Sequence, residues 1–431
     1  MQRVLIILLC CYSFVCAQVH YIKEPTFNQV TFVKTYGNPE NEAIVFVHGL
    51  GDEGAQLWEE SALALEDDYF ILMFDLPGFG RSDKANKLYS PKNYAYFINY
   101  LAQHFIQKPF HLVGHSMGAA ISLKYASMFA DIKSLMLIDA AGILNKIAYS
   151  QFILKEKTEK MTENEGIIDF VKGLPKALNS ILPLDLSPAL QNNTSRKLLF
   201  RSNPSTIAAT ALVETDYSNV PQNIDVNTLI MWGEKDKVAP IRTGYVLHKL
   251  IPHSKFMSVQ NAGHVPIKDA PQLFLKTLQE HLLHDAYTKQ LPVYDVIEKE
   301  RVVEGENGVT LTGRIGHLVI KNSTNIRIQD AKIEDLIIEN SSVDIVNSQL
   351  LLKNKTEILN STLTVTATDL ETTGIEILNS NIDFAGVIIT TPTYLFQNLS
   401  TQKAQNVLFS LCTLNENTLH ELVSINKGET F

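Results

Sequence analysis

Cysteine is scarce. The 431 residues hold four, at Cys10, Cys11, Cys16 and Cys412. The chain also lacks any dense cluster of lysine or arginine: 37 basic residues stand against 46 acidic ones, a formal net charge of −9. Neutralising phosphates needs clustered cations, so this balance argues against a nucleic-acid partner. Long apolar runs are missing as well. Beyond the N-terminus no stretch approaches the roughly 20 apolar residues of a membrane helix. What is present is a globular composition, 45% hydrophobic and 19% charged. It excludes a disordered or fibrous chain. At about 150 residues per domain the length predicts two or three domains.

Three of the four cysteines fall in Met1 to Ala17, MQRVLIILLCCYSFVCA. Arg3 opens the segment, an apolar run follows, and Val15 and Ala17 are small residues suited to cleavage before Gln18. This is the pattern of a secretory signal peptide over residues 1–17. An uncleaved anchor has too short an apolar run, and Val15 before Cys16 fits a lipoprotein poorly. Cleavage leaves Cys412 alone, so the exported chain has no internal disulfide and its fold rests on its core.

Two textures divide the rest. Between about Val30 and His284, short apolar runs alternate with helix-length segments. The runs are Ala43–Val47, Phe70–Phe74, Phe110–Val113, Ser134–Ile138, Thr228–Trp232 and Lys255–Val259. They lack strict alternation, as parallel strands buried on both faces do. Helical patterns such as Asn93 to Phe105 and Pro271 to Leu283 lie between them, which predicts an open α/β sheet over residues 18–290. Gly142 to Val220 separates two core strands by more than a helix requires. Its amphipathic pieces, Tyr149 to Thr158 and Gly166 to Ile181, predict a cap over about 142–220. Ile147, Phe152, Ile167, Phe170, Leu174 and Leu178 are its apolar candidates for lining a pocket.

Beyond Leu291 apolar residues come in i, i+2 pairs, such as Ile326/Ile328, Val343/Ile345, Leu363/Val365 and Ile382/Phe384. Asn-Ser pairs punctuate them at Asn322, Asn340, Asn347, Asn360 and Asn379. Short strands with polar corners predict an all-β unit over residues 291–400, a β-solenoid or alternatively a β-sandwich, then a tail over 401–431. The charged stretch Glu298-Lys299-Glu300-Arg301 suggests a junction crossed by few contacts.

The chemistry gathers in the first domain. Gly114-His-Ser-Met-Gly118 follows one predicted strand and opens a helical pattern. G-x-S-x-G in that context is a nucleophile elbow, where side chains two positions either side of the serine would collide. Ser116 is the candidate nucleophile. His48-Gly49-Leu50-Gly51 follows another strand, so the amides of Leu50 and Met117 are candidates for an oxyanion hole; a plain glycine turn is the alternative. Asp236, in Gly-Glu-Lys-Asp, and His264, in Gly-His, each follow a strand at its carboxyl end, where open sheets build their sites. In the order Ser116, Asp236, His264 they are nucleophile, acid and base. Asp139 also ends a strand and is an alternative acid. Asp75, in Asp-Leu-Pro-Gly-Phe-Gly-Arg-Ser82, belongs to a structural turn. His115 is expected to point away from Ser116.

Together these motifs resemble the α/β-hydrolase superfamily over about Val30 to His284, in particular its lidded esterase, monoacylglycerol lipase and carbon–carbon hydrolase branch. The resemblance implies acyl-serine chemistry on ester or lipid substrates, with neither metal nor organic cofactor. Ser116 at the elbow, where a dehalogenase or epoxide hydrolase carries Asp, fits that chemistry. The reading is an exported serine hydrolase of carboxylic esters. Its rivals are a carbon–carbon hydrolase, a thioesterase, an acyltransferase, or a non-catalytic surface-binding module. The β-rich region has no counterpart in common family members and is a candidate for surface or carbohydrate contact.

Overall fold

The computed structural model describes residues 17–148, 151, 185–284, 286–289, 293–294, 297–399 and 405–431. The predicted signal peptide, apart from Ala17, lies outside them. So do Phe152, Ile167, Phe170, Leu174 and Leu178 of the cap.

The first domain is an eight-stranded sheet in the order β1-β2-β4-β3-β5-β6-β7-β8. The predicted strands are β3 (Ala43–Val47), β4 (Phe70–Phe74), β5 (Phe110–His115), β6 (Ile132–Ile138), β7 (Asn227–Gly233) and β8 (Ser254–Val259). All six run parallel. Every residue of β3 is buried. Ala43, Val45 and Val47 join the apolar cluster on one face, and Ile44 and Phe46 join the cluster on the other. That two-sided burial is why the strand reads as a continuous apolar run. Two strands escaped the sequence reading. Antiparallel β1 (Gln18–Glu24) and β2 (Gln29–Tyr36) extend the β4 edge.

The described part of the cap is helical: Ser187–Gln191, Asn193–Leu199 and Pro204–Val213. Asn192 and Asn203 cap the latter two by accepting from Ser195 N–H (3.0 Å) and Thr206 N–H (2.9 Å). Among the described residues no helix is long and apolar enough to cross a membrane.

The second domain is all β, from β9 (Ile297–Glu304) to β25 (Leu422–Ile425). Its strands form one continuous sheet that winds back on itself. Most pair in parallel with the strand three further along the chain. Thus β13 (Ser342–Val346) meets β16 (Thr362–Thr366), which meets β19 (Asn381–Ala385), which meets β22 (Gln405–Ser410). The predicted i, i+2 pairs stack in register: Val343 over Leu363 over Ile382, and Ile345 over Val365 over Phe384. All point into one apolar core.

The Asn-Ser corners have a physical cause. Asn322, Asn340, Asn347, Asn360 and Asn379 all adopt φ between 47° and 52°, a left-handed turn that asparagine tolerates better than other side chains. The serine that follows is buried and bonds upward. Ser323 N–H donates to Ser341 Oγ, Ser341 N–H to Ser361 Oγ and Ser361 N–H to Ser380 Oγ, at 3.0–3.1 Å and offsets of 18, 20 and 19 residues.

Three expectations change here. The expected tail, 401–431, contributes β22, β23 (Cys412–Leu414), β24 (Asn417–Leu419) and β25 to the same sheet, with β22–β25 and β23–β24 antiparallel. The charged stretch Glu298–Arg301 lies within β9, which pairs with β10 (Thr310–Lys321). And the two domains are joined by more than a sparse junction. Helix Arg242–Leu250 packs on β16 and β19. Arg242 pairs with Asp383 (2.5 Å) and Lys249 with Asp369 (2.6 Å). Asn145 N–H donates to Ser410 Oγ (3.2 Å) and its amide to the His420 carbonyl (3.0 Å). Ala385, Leu408 and Leu411 belong to a core cluster of the first domain. Cys412 is a buried free thiol, which burial pushes up to about 12.

Candidate active site

Ser116 sits between β5 and helix Met117–Ala126 with φ 56° and ψ −121°. This is a strained turn for a side-chain-bearing residue. Its neighbours explain how the turn is tolerated. A Cβ on Gly114 would come 2.4 Å from the Gly118 carbonyl oxygen, and one on Gly118 would come 2.3 Å from that of Val47. Only glycine fits at both positions. Ser116 N–H donates to the Ile138 carbonyl at 2.9 Å, which ties the elbow to β6.

The three predicted groups meet. His264 Nδ1 lies 2.8 Å from Asp236 Oδ2, and its Nε2 lies 2.8 Å from Ser116 Oγ. A carboxylate only accepts, so Nδ1 carries the proton and Nε2 is left to accept from the serine hydroxyl. Asp236 is fixed from its other side, where Oδ1 accepts from Val238 N–H (2.7 Å) and Ala239 N–H (3.0 Å). Ser116, Asp236 and His264 are all buried. Such a chain of groups can take a proton from the serine and return it to a leaving group.

Met117 is the first residue of its helix, so its N–H has no intrahelical acceptor. Leu50 lines the same cleft as Ser116 and His264, about 70 Å³ among the described residues. Leu50 thus shares a cleft with Ser116, and Met117 is the next residue in the chain. The loop carrying Leu50 is held by His48. Its Nδ1–H donates to the Gly49 carbonyl (2.7 Å), and its Nε2 accepts from Leu76 N–H (2.8 Å). Burial holds the His48 imidazole below its ordinary pKa, so it stays neutral in this role. The sequence placed His48 in the candidate oxyanion-hole loop without showing that its ring would hold that loop. The Gly that follows a strand-ending His was the one available signal.

Asp75 is the structural residue expected. Its oxygens accept from Ala55 N–H (2.7 Å), Arg81 N–H (2.8 Å) and the Arg81 side chain (2.7 and 3.0 Å). Burial works against the charge, but the Arg81 side chain and these amides outweigh it, and the carboxylate lies below its ordinary range. His115 makes no bond to Ser116. Its Nε2–H donates to the His264 carbonyl at 2.7 Å. Burial and the neighbouring His264 push its pKa down to about 3, so a neutral ring braces the loop of the base. Nothing in the local sequence signalled that contact, which spans 149 residues.

Asp139 lies beside the chain rather than in it. Its carboxylate, that of Asp236 and a His264 ring nitrogen are all within 4.8 Å of one another. Among the described residues this is the one cluster of ligating side chains close enough for a metal ion. Two of its residues, Asp236 and His264, are already hydrogen-bonded to each other through Oδ2 and Nδ1.

A sequence profile of the alpha/beta hydrolase fold matches residues 42–271. The chain is 28% identical over 250 residues to Lipase 1 of Psychrobacter immobilis, covering 54% of this chain and 74% of that protein. It is 24% identical over 276 residues to the mouse Monoacylglycerol lipase ABHD6, covering 59% and 80%. A solved structure titled as a putative lipase from Acinetobacter baumannii superposes with a TM-score of 0.47 at 24% identity, over 62% of this chain and 91% of that one.

Proposed function

Because the chain belongs to the α/β-hydrolase family, we propose that it is an exported serine hydrolase that cleaves carboxylic esters through an acyl-serine intermediate. The observation that carries the reading is the continuous Ser116–His264–Asp236 chain, with both links at 2.8 Å. His264 takes the proton as Ser116 Oγ attacks the acyl carbonyl. Asp236 stabilises the imidazolium, and the Leu50 and Met117 amides receive the oxyanion. The proton then passes to the departing alkoxide, and water repeats the sequence on the acyl-serine. Relatives named as lipases support an ester or lipid substrate.

The parallel pairing of every third strand, at offsets near twenty residues, supports a β-solenoid for the second domain. Polar outer faces suit contact with an extended surface or carbohydrate. The N-terminal segment Met1–Ala17 supports export. Labelling Ser116 with a fluorophosphonate, then profiling p-nitrophenyl esters of graded chain length, tests the chemistry. Failure of Ser116 to label, or turnover that survives Ser116→Ala, would overturn it. N-terminal sequencing of the secreted chain tests export, with Gln18 expected as the first residue.

A further inference from the structure

Two buried carboxyl groups stand behind His264 where the proposed chemistry needs one. Asp139 follows β6 and Asp236 follows β7, and these strands are parallel neighbours with Ile138 opposite Met231. Both side chains therefore emerge at the same end of the sheet. Asp139 is fully buried, and its backbone takes φ 46°, a left-handed conformation that few residues other than glycine, asparagine and aspartate adopt. Asp139 Oδ1 accepts from Gly233 N–H at 2.9 Å. Its Oδ2 is buried and has no partner among the described residues.

The donors are divided unequally. Asp236 receives three, from Val238, Ala239 and His264, whereas Asp139 receives one. Two carboxylates this close, away from water, cannot both ionise. The one with fewer donors holds the proton. A proton on Asp139 Oδ2 also resolves the unpaired oxygen, because the neighbouring Asp236 supplies the acceptor.

We propose that Asp139 is a positioning residue: it is protonated, donates a hydrogen bond to Asp236, and so keeps the pair at a single negative charge that Asp236 presents to His264. Burial, and then the Asp236 charge, push the Asp139 carboxyl well above the usual carboxylate range, in keeping with this arrangement. The titratable groups that face it are Asp236 from the β7 loop and His264 and Asp269 from the segment after β8, with His115 on the elbow behind His264. A second ionised carboxyl here would add negative charge beside the His264 imidazole and oppose its return of the proton that Ser116 gives up. The inference rests on reading Ser116, His264 and Asp236 as the catalytic chain.

The test uses the full chain and three readouts. Infrared spectra at neutral pH should show the carbonyl stretch of a protonated carboxylic acid, shifted in heavy water and lost in Asp139→Asn. Asp139→Ala should lower kcat about 10- to 100-fold with little change in KM. Asp139→Asn should restore most of that rate, because its amide supplies the same donor, and its kcat/KM should persist further into alkaline pH than the wild type's. Absence of the acid band from the wild-type spectrum overturns the proposal even if the variants fail to fold. So does an asparagine variant as impaired as the alanine one, or a band displaced by added zinc, which would make the pair an ionised metal site. Fluorophosphonate labelling is run in parallel. If Ser116 does not label while the acid band is present, the ester-hydrolase reading fails and the proton assignment stands.

Discussion

Leu411 offers a direct measure of how far the two domains depend on each other. It lies in the β domain, yet it is only 3% exposed and packs with the hydrolase-side core. Its φ of 52° is left-handed, so a leucine is held there against its backbone preference. Leu411→Ala keeps that backbone cost and deletes the buried side chain. Buried Leu→Ala changes cost about 3–5 kcal/mol, transfer and cavity together. For a chain of this size each kcal/mol shifts the midpoint by about 2 °C, so a fall of about 6–10 °C is expected. Calorimetry gives the unfolding midpoint, and residual turnover of a short ester after heating gives the midpoint for loss of activity. Both should fall together. If calorimetry resolves an early transition while the activity midpoint stays at the wild-type value, the hydrolase does not draw stability from the β domain, and the reasoning is refuted.

Ser116→Ala should lower ester turnover by about 10⁴-fold or more with an unchanged melting curve, and Asp236→Asn should slow turnover far more than Asp139→Asn. Steady-state kinetics on the purified variants checks both, and the reverse ranking of the two aspartates would move the acid to Asp139. Stability should decline on acidification, because burial holds His281 and His115 down to about 3 and His248 to about 4, against 6.5 for a free imidazole. Between those values the unfolded chain binds more protons than the folded one, so stability rises with pH and is lost as pH falls from about 6.5 toward 3; His281→Asn should flatten the dependence of Tm on pH. Exchanging the 142–220 segment for another cap should alter chain-length preference across p-nitrophenyl esters while a small activated acetate is still cleaved.

How much of this was legible beforehand depended on whether the cause was local. β3 and β4 were bounded to the residue because burial on both faces leaves no polar position inside them. The elbow was legible because the clashes at Gly114 and Gly118 force their composition. The corners of the β domain were legible because a left-handed turn favours asparagine. β1 was missed since it is an exposed edge strand, QVHYIKE, whose one buried residue is Glu24. The docking of the domains was hidden for another reason. Leu408 and Leu411 look like any apolar residues of a strand region, and a sequence does not say which core a leucine enters. The bracing by His115 and the closeness of Asp139 to Asp236 depend on loops that meet only once the sheet is ordered.

The ends of the β ladder bear on self-assembly. An open edge of a parallel ladder exposes unpaired backbone, and such edges template the addition of further chains. Here β9 carries Glu298, Lys299, Glu300 and Arg301, a row of alternating charge that a second copy would have to desolvate to extend the sheet. At the other end β22 and β23 fold against antiparallel partners, so the direction in which rungs accumulate is reversed by the chain's own last strands. Both faces on which a filament could nucleate are thus spoiled, one by charge and one by polarity of pairing. Replacing Lys299 and Arg301 with threonine should therefore lower the concentration at which light scattering first detects fibres.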